Sequence, residues 1–397
     1  MANKELKILC LSFWTPPIVR PQSILIDKMI KEWMKKGIRP VILTYDICGD
    51  WKIDLAIYKI PQLDVFKPFL KIPGMVTFFE YFYFRKIFKI AKEIINKHQI
   101  NLVFSFSNPN ASNILGAMIK KKLGIKFISH FSDPWLDNPL KTFSFFGGKK
   151  VRFLEKYVVE NSDRIIFITQ ETENLVMKKY GFGEQRKARV IPHCFAPEDY
   201  PDVQKSSERF IFSYIGAFYT DRNPKIIFEA FKNLMKIREL KNKFELKLIG
   251  TSLDYARFKT NLPDMIRSYG LEKAVEVIPA VDYKKSLEYM KISDCLLVLD
   301  ADFPNSPFLP SKAVDYAASG TTIVGITPQN SATAKFLTRL GYKSFSYDKV
   351  DKLSEYFYKL ITGAVMEKIN KDYLNEFNVS ATTAKLINQF EEVIKES

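Results

Sequence analysis

Apolar residues fall into two alternating patterns along the chain. Leu6–Phe13 is a short continuous apolar run, the signature of a strand buried on both faces. Gln22–Lys36 then places Ile24, Met29, Ile30, Trp33 and Met34 at helical spacing and stops at Gly37, a residue suited to ending a helix. The cycle repeats with strands expected at Pro40–Tyr45, Asn101–Phe106, Lys126–His130 and Arg164–Thr169, and helical stretches follow the last three. After a polar, proline-bearing segment at 196–208, strands are expected at Phe210–Gly216, Phe244–Gly250, Val275–Ile278, Asp294–Asp300 and Thr321–Gly325. Strand–helix alternation of this kind builds a parallel sheet with helices on both faces. The expected architecture is α/β, with two doubly wound domains facing each other across a cleft. Residues 1–200 form the first domain and 207–379 the second. An amphipathic helix opened by Ser380 lies within 380–397 and crosses back onto the first domain. In such sheets ligands bind outside the carboxyl ends of the strands.

A length of 397 residues agrees with two cores rather than one. The formal net charge of +16 adds an attraction that the pattern does not, toward anionic partners: nucleic acid, acidic lipid surfaces or phosphorylated ligands, among which charge alone does not choose. The apolar run at the start has no small-residue cleavage site after it, and Trp14-Thr15-Pro16-Pro17 ends it, so it reads as a strand and not a signal peptide. No uncharged stretch approaches the ~18 residues of a bilayer span. The expected location is cytoplasmic, with peripheral attachment to the inner face of the plasma membrane as an option. Cys10, Cys48, Cys194 and Cys295 lack metal or redox spacing and read as reduced thiols.

Candidate chemistry gathers at two places in the second domain. In Phe308-Leu309-Pro310-Ser311-Lys312-Ala313-Val314-Asp315, Ser311 is expected to cap a helix that Gly320 ends, leaving backbone N–H groups for a diphosphate. Lys312 adds charge there. Asp315, one turn on, either accepts ribose hydroxyls or forms a surface pair with Lys312. The strand from Phe210 delivers Gly216, which permits close ligand approach, and Arg222 follows just before the next helix. That guanidinium either grips a diphosphate or pairs with Asp221.

In the first domain, Arg20 follows the proline-rich loop after the first strand and either contacts donor phosphate or is a surface arginine. Residues 65–97 interleave Phe and Tyr with Lys67, Lys71, Arg85, Lys86, Lys89 and Lys92. Such a segment suits a membrane interface or a helix with a solvated basic face. Nucleic acid is not the expected partner, because no recognised binding signature accompanies the aromatics.

The pieces "HFSDPW", "SDRIIFITQETENLVMKKYG", "YIGAFYTDRNPKIIFEAF", "SDCLLVLD" and "FLPSKAVDYAASGTTIVGI" together resemble the retaining glycosyltransferases of family 4, which have the GT-B fold of two Rossmann-like domains. The resemblance spans nearly the whole chain. It implies sugar transfer from a nucleotide-sugar donor to the hydroxyl of an acceptor glycan or lipid-linked sugar, in polysaccharide or glycolipid assembly, with no metal and no cofactor. Asp133, in the segment His130–Trp135 that follows a buried strand, is expected either to orient or deprotonate the acceptor hydroxyl or to form a turn ahead of Pro134; His130 is the alternative contact to the transferred sugar, and His193 reads as a loop histidine. Two departures stand out. The family's arginine position resembles Ala217 and its lysine position resembles Arg222. Of its two glutamates, the second matches Asp315 and the first falls at Pro307. Asp300-Ala301-Asp302 has the look of a metal motif but reads as a loop. An epimerase or hydrolase of the same fold, or an inactive binder of sugar nucleotide or membrane, are the alternatives.

Overall fold

A computed structural model describes residues 5–62, 75–218, 222–253, 258–365 and 367–396. The chain divides into two compact units, Met1–Pro192 with Val379–Ser397 and His193–Asn378.

The first unit runs β1 (Ile8–Leu11), α1 (Pro21–Lys35), β2 (Val41–Tyr45), β3 (Ile57–Ile60), α2 (Met75–His98), β4 (Leu102–Phe106), α3 (Ala111–Leu123), β5 (Lys126–Phe131), α4 (Phe145–Asn161), β6 (Arg164–Phe167), α5 (Gln170–Met177), α6 (Phe182–Gln185) and β7 (Ala188–Val190). Its seven strands are ordered β3-β2-β1-β4-β5-β6-β7 and every pair is parallel. All residues of β1, β2, β4 and β6 are buried, as expected of strands covered on both faces. The strand order reverses between β1 and β4, which marks the ligand-binding crevice of such a sheet.

The C-terminal helix Val379–Lys395 belongs to this unit. Phe390 is fully buried, edge-on to Trp33 at 5.2 Å and to Phe104 at 5.4 Å. Arg164 at the start of β6 reaches Glu392 at 3.4 Å and Glu396 at 2.5 Å. Truncating a buried Phe of this kind costs about 3–5 kcal/mol, so the helix is part of the core. It starts at Val379, which puts Ser380 inside the first turn and not at the cap.

The second unit runs β8 (Phe210–Ile215), α7 (Lys225–Met235), β9 (Phe244–Ile249), α8 (Leu262–Ser268), β10 (Val275–Ile278), α9 (Tyr283–Ile292), β11 (Cys295–Leu299), α10 (Ser311–Ser319), β12 (Thr322–Ile326), α11 (Ala332–Leu340), β13 (Lys343–Phe345), α12 (Val350–Ile361) and α13 (Lys371–Asn375). The strand order is β10-β9-β8-β11-β12-β13, again parallel throughout, with the reversal between β8 and β11.

Within the polar segment 196–208 the Tyr200 hydroxyl donates to Asp315 Oδ1 at 3.2 Å, and the residue before the segment is held too. The Phe195 N–H donates to the Phe377 carbonyl at 3.0 Å, and the Phe195 ring is buried with Leu287 and Met290. The crossing between units therefore falls at 192/193, ahead of the polar composition that suggested it. All four cysteines are free and buried. Of the basic-aromatic stretch 65–97, residues 65–74 with Lys67 and Lys71 lie outside the described residues, as does Asp221.

Candidate functional site

In the second unit the sheet splits where its order reverses. β8 and β11 pair only at Phe212 with Cys295 and Ser213 with Leu296, although β8 continues to Ile215 and β11 to Leu299. The backbone of Ile215 is taken over by helix α10 instead. Its N–H donates to the Tyr316 hydroxyl at 3.0 Å, and its carbonyl accepts from Lys312 Nζ at 3.0 Å. Lys312 and Tyr316 stand four residues apart, so one face of α10 holds the outlet of β8 open.

Gly216 follows at once, with φ at 112°, a backbone conformation that favours glycine. A Cβ there would lie 3.7 Å from Lys312 Nζ. The lysine is partly exposed as a residue, but its ammonium is enclosed, 3.8 Å from the centre of the Tyr214 ring. Burial, and then the nearby charge of Arg222, hold its pKa well below the ordinary 10.5. Arg222 is itself 9% exposed. Two enclosed cations therefore converge at the strand outlet.

The neighbouring strand supplies an acid. Asp300, just past β11, is fully buried and receives the Ala301 N–H at 2.7 Å. Burial raises its pKa, while the Ala301 N–H and Arg222 pull it down. The expected loop aspartate is thus a buried group at the crevice. Its signal in the sequence was a charged residue ending the apolar run Cys295–Leu299.

Helix α10 departs from expectation at its start. Pro310 occupies the N-cap, without a side-chain hydrogen bond, and Ser311 is the first helical residue. Proline's fixed φ suits helix entry without a hydroxyl cap. The first-turn N–H groups of Ser311 and Lys312 have no intrahelical acceptor in an α-helix. Gly320 ends the helix in the left-handed region, at φ 78°.

Asp315 is not a surface partner of Lys312. It is 5% exposed, and its Oδ1 accepts from the Tyr200 and Tyr283 hydroxyls, each at 3.2 Å. Burial and the adjacent carboxylate push both tyrosine pKa values up. Asp315→Ala removes the shared charged acceptor and should cost about 1.5–3 kcal/mol, the scale of a hydrogen bond to a charged group. Asp315→Asn keeps an acceptor and should cost less. Urea denaturation of the two variants measures the difference, and equal stabilities would show that the tyrosines do not depend on the carboxylate.

In the first unit the outlets of β1, β4 and β5 carry the remaining candidates. Ser132 N–H donates to Ser107 Oγ at 2.8 Å, and Ser132 Oγ donates to the Ser107 carbonyl at 3.1 Å, stitching the β4 and β5 loops together. Asn108 Nδ2 then donates to Asp133 Oδ2 at 2.7 Å. Asp133 is half-buried, so its carboxylate is both oriented and accessible. His130 is 4% exposed and packs on Phe106 at 5.2 Å. It was expected at the sugar, but the alternation of β5 turns its ring into the sheet packing. Its Nδ1 stands 3.5 Å from Ser132 Oγ, which connects it to the loop bearing Asp133. Arg20 is exposed, with its guanidinium 3.9 Å above the Trp14 ring and its backbone N–H on Ser23 Oγ at 2.9 Å. The structure thus gathers Gly216, Arg222, Ser311 and Lys312 at one outlet. Asp133 and His130 meet at another, and Asp315 sits in its own tyrosine pocket.

Two doubly wound parallel units, each with polar groups collected where its strand order reverses, define the GT-B class of glycosyltransferases. Residues 22–199 match the glycosyltransferase family 4 model and residues 196–330 the glycosyl transferases group 1 model, and the chain belongs to this glycosyltransferase family. No curated protein matches the chain. Among solved structures, it is similar to a glycosyltransferase from Rickettsia africae, with TM-score 0.71, 14% identity, and coverage of 99% of this chain and 100% of that one. Sucrose-phosphate synthase from Thermosynechococcus elongatus gives TM-score 0.73 at 13% identity, with 99% and 100% covered. Anabaena HepE in complex with UDP-glucose gives 0.63 at 13%, with 99% of both chains covered.

Proposed function

We propose that the second unit binds the diphosphate of a nucleotide sugar and that the sugar passes, with retention, to an acceptor hydroxyl engaged by Asp133 of the first. The observation that carries this reading is the pair of enclosed cations, Lys312 and Arg222, beside a left-handed glycine at the split between β8 and β11. An enclosed ammonium whose pKa is depressed by burial, and further by a second cation, gains most from a ligand with concentrated negative charge. The first-turn N–H groups of α10 add donors of the same sign. As the glycosidic bond breaks, negative charge grows on the leaving diphosphate, and these groups meet it without reorganisation. The reading assigns that task to the chain's own cations, with no metal or cofactor. Arg20 is assigned to the donor phosphates, whereas Asp315, buried under the Tyr200 and Tyr283 hydroxyls, is assigned to anchoring α10 and not to the ribose. His130 is a positioning residue acting through Ser132. The acceptor is a glycan or lipid-linked sugar, and the complex of Anabaena HepE with UDP-glucose makes a uridine donor the first to try.

The test is calorimetry with a panel of nucleotide sugars. At a pH above the free-protein pKa of Lys312, binding should take up protons. In the free protein the Lys312 pKa lies below 10.5, and a bound diphosphate raises it. Over the window between the free and bound values, affinity therefore weakens as pH rises. Titrations in buffers of different ionisation enthalpy read this uptake directly. A panel in which no nucleotide sugar binds would remove the reading.

A further inference from the structure

Thirteen large hydrophobic side chains are exposed among the described residues, and eight of them lie in α2 and in the segment that opens α4. That concentration is not the scatter expected of single exposed apolar residues. On α2, Phe78, Tyr81 and Phe82 are 56%, 58% and 51% exposed, at the spacing of one helical face. On α4, Phe145, Phe146 and Phe153 are 70%, 80% and 67% exposed. The opposite side of α2 is ordinary core, with Ile87, Ala91 and Ile94 buried. The helix is thus already docked, and its aromatic face is surplus to folding.

The two helices are neighbours. Both pack against α3, and a Lys150–Glu80 ion pair joins them directly. Each changes character along its length in the same direction. On α2 the exposed aromatics come first and Arg85, Lys86 and Lys89 follow; on α4 Phe145 and Phe146 come first and Lys149, Arg152 and Lys156 follow, with Phe153 set among them. All six of these cations are exposed. In a parallel sheet each crossover helix begins near the carboxyl edge of the strands. The aromatic ends therefore lie toward the edge that carries Asn108 and Asp133. Aromatic rings with flanking cations match the region where acyl chains meet anionic headgroups. No described helix is long and apolar enough to cross a membrane, so the match is to its surface.

We infer that α2 and the start of α4 form one docking surface for an anionic lipid bilayer, which brings lipid-linked acceptors to Asp133. The surface extends the basic-aromatic stretch read from the sequence to a second helix. The acceptor class rests on the proposed glycosyl transfer, whereas the docking does not.

The experiment is flotation of the full chain with vesicles of phosphatidylcholine alone or mixed with phosphatidylglycerol, at low and high salt. Binding should require phosphatidylglycerol and weaken with salt. Phe145→Ser with Phe146→Ser should lower partitioning about tenfold or more, since two large apolar side chains lose their burial. Lys86→Glu with Lys89→Glu should do the same through charge. Because all four side chains are exposed, melting temperature and nucleotide-sugar binding should match the wild type, which keeps this test separate from the donor site. Wild-type protein that floats with neither vesicle overturns the inference. So does binding that the phenylalanine changes leave intact, or a dimer in solution that those changes dissociate, which would assign the face to a second copy. Vesicle binding in a protein that binds no nucleotide sugar would uphold the surface and sink the acceptor assignment.

Discussion

Lys312→Met is expected to weaken nucleotide-sugar binding by about ten- to a hundredfold, the scale of a lost charged hydrogen bond of about 1.5–3 kcal/mol. The same variant should melt at an unchanged or higher temperature. The two signs follow from one geometry. Without ligand, the ammonium sits enclosed beside Arg222, and its compensation is the Ile215 carbonyl at 3.0 Å and the Tyr214 ring at 3.8 Å. Methionine keeps the stem, loses one hydrogen bond, and removes the cost of burying a charge near another of like sign. With a diphosphate bound, that same charge is the source of affinity. Arg222→Met should repeat the loss of binding. The double variant should lose less than the sum, because both cations act on one anion. Isothermal titration and a thermal melt measure the two effects. A lower melting temperature with intact donor binding would show instead that Lys312 is a clamp on the β8 outlet and no more.

Much of this arrangement was legible in the sequence because it depends on local rules. Buried parallel strands write continuous apolar runs, so β1, β4, β8 and β11 fall within the runs that announce them. Gly320, expected to end its helix, does so at φ 78°, whereas the positive φ of Gly216 carried no separate signal in the sequence. The edge strands β3, β7 and β13 were not legible. Two of them have three residues, and Lys59 and Lys343 interrupt the apolar pattern. Ser311 was read as a cap from a preference, but the cap falls one residue earlier on Pro310, whose own backbone sets the entry.

The remaining misses are matters of which face meets which neighbour. Periodicity shows that residues share a helix face, but not what covers it. Asp315 and Lys312 share spacing yet lie in different surroundings, one under two tyrosines and one against Ile215 and Tyr214. Asp300 looked like a loop residue because its burial comes from elements far along the chain, among them the Tyr347 hydroxyl on its carbonyl at 2.7 Å. The exposed phenylalanines of α4 are indistinguishable in sequence from core residues. Only the tertiary structure leaves them uncovered.

Asp133→Asn is expected to reduce the rate of sugar transfer by about a hundredfold or more, within the range for loss of a general base, while donor affinity stays within about twofold. The substitution is a clean probe here. An asparagine oxygen can still accept from Asn108 Nδ2, which lies 2.7 Å from Asp133 Oδ2 in the structure, so the loop keeps its tie. What disappears is the negative charge available to an acceptor hydroxyl. Asn108→Ala makes the complementary change, leaving the carboxylate but freeing its orientation, and should have a smaller effect on rate. Transfer to an acceptor, measured beside calorimetric donor binding, separates the roles. If Asp133→Asn transfers at the wild-type rate, the base lies elsewhere. If it lowers the melting temperature and donor binding together, Asp133 serves the stitched β4 and β5 loops and does not touch the acceptor.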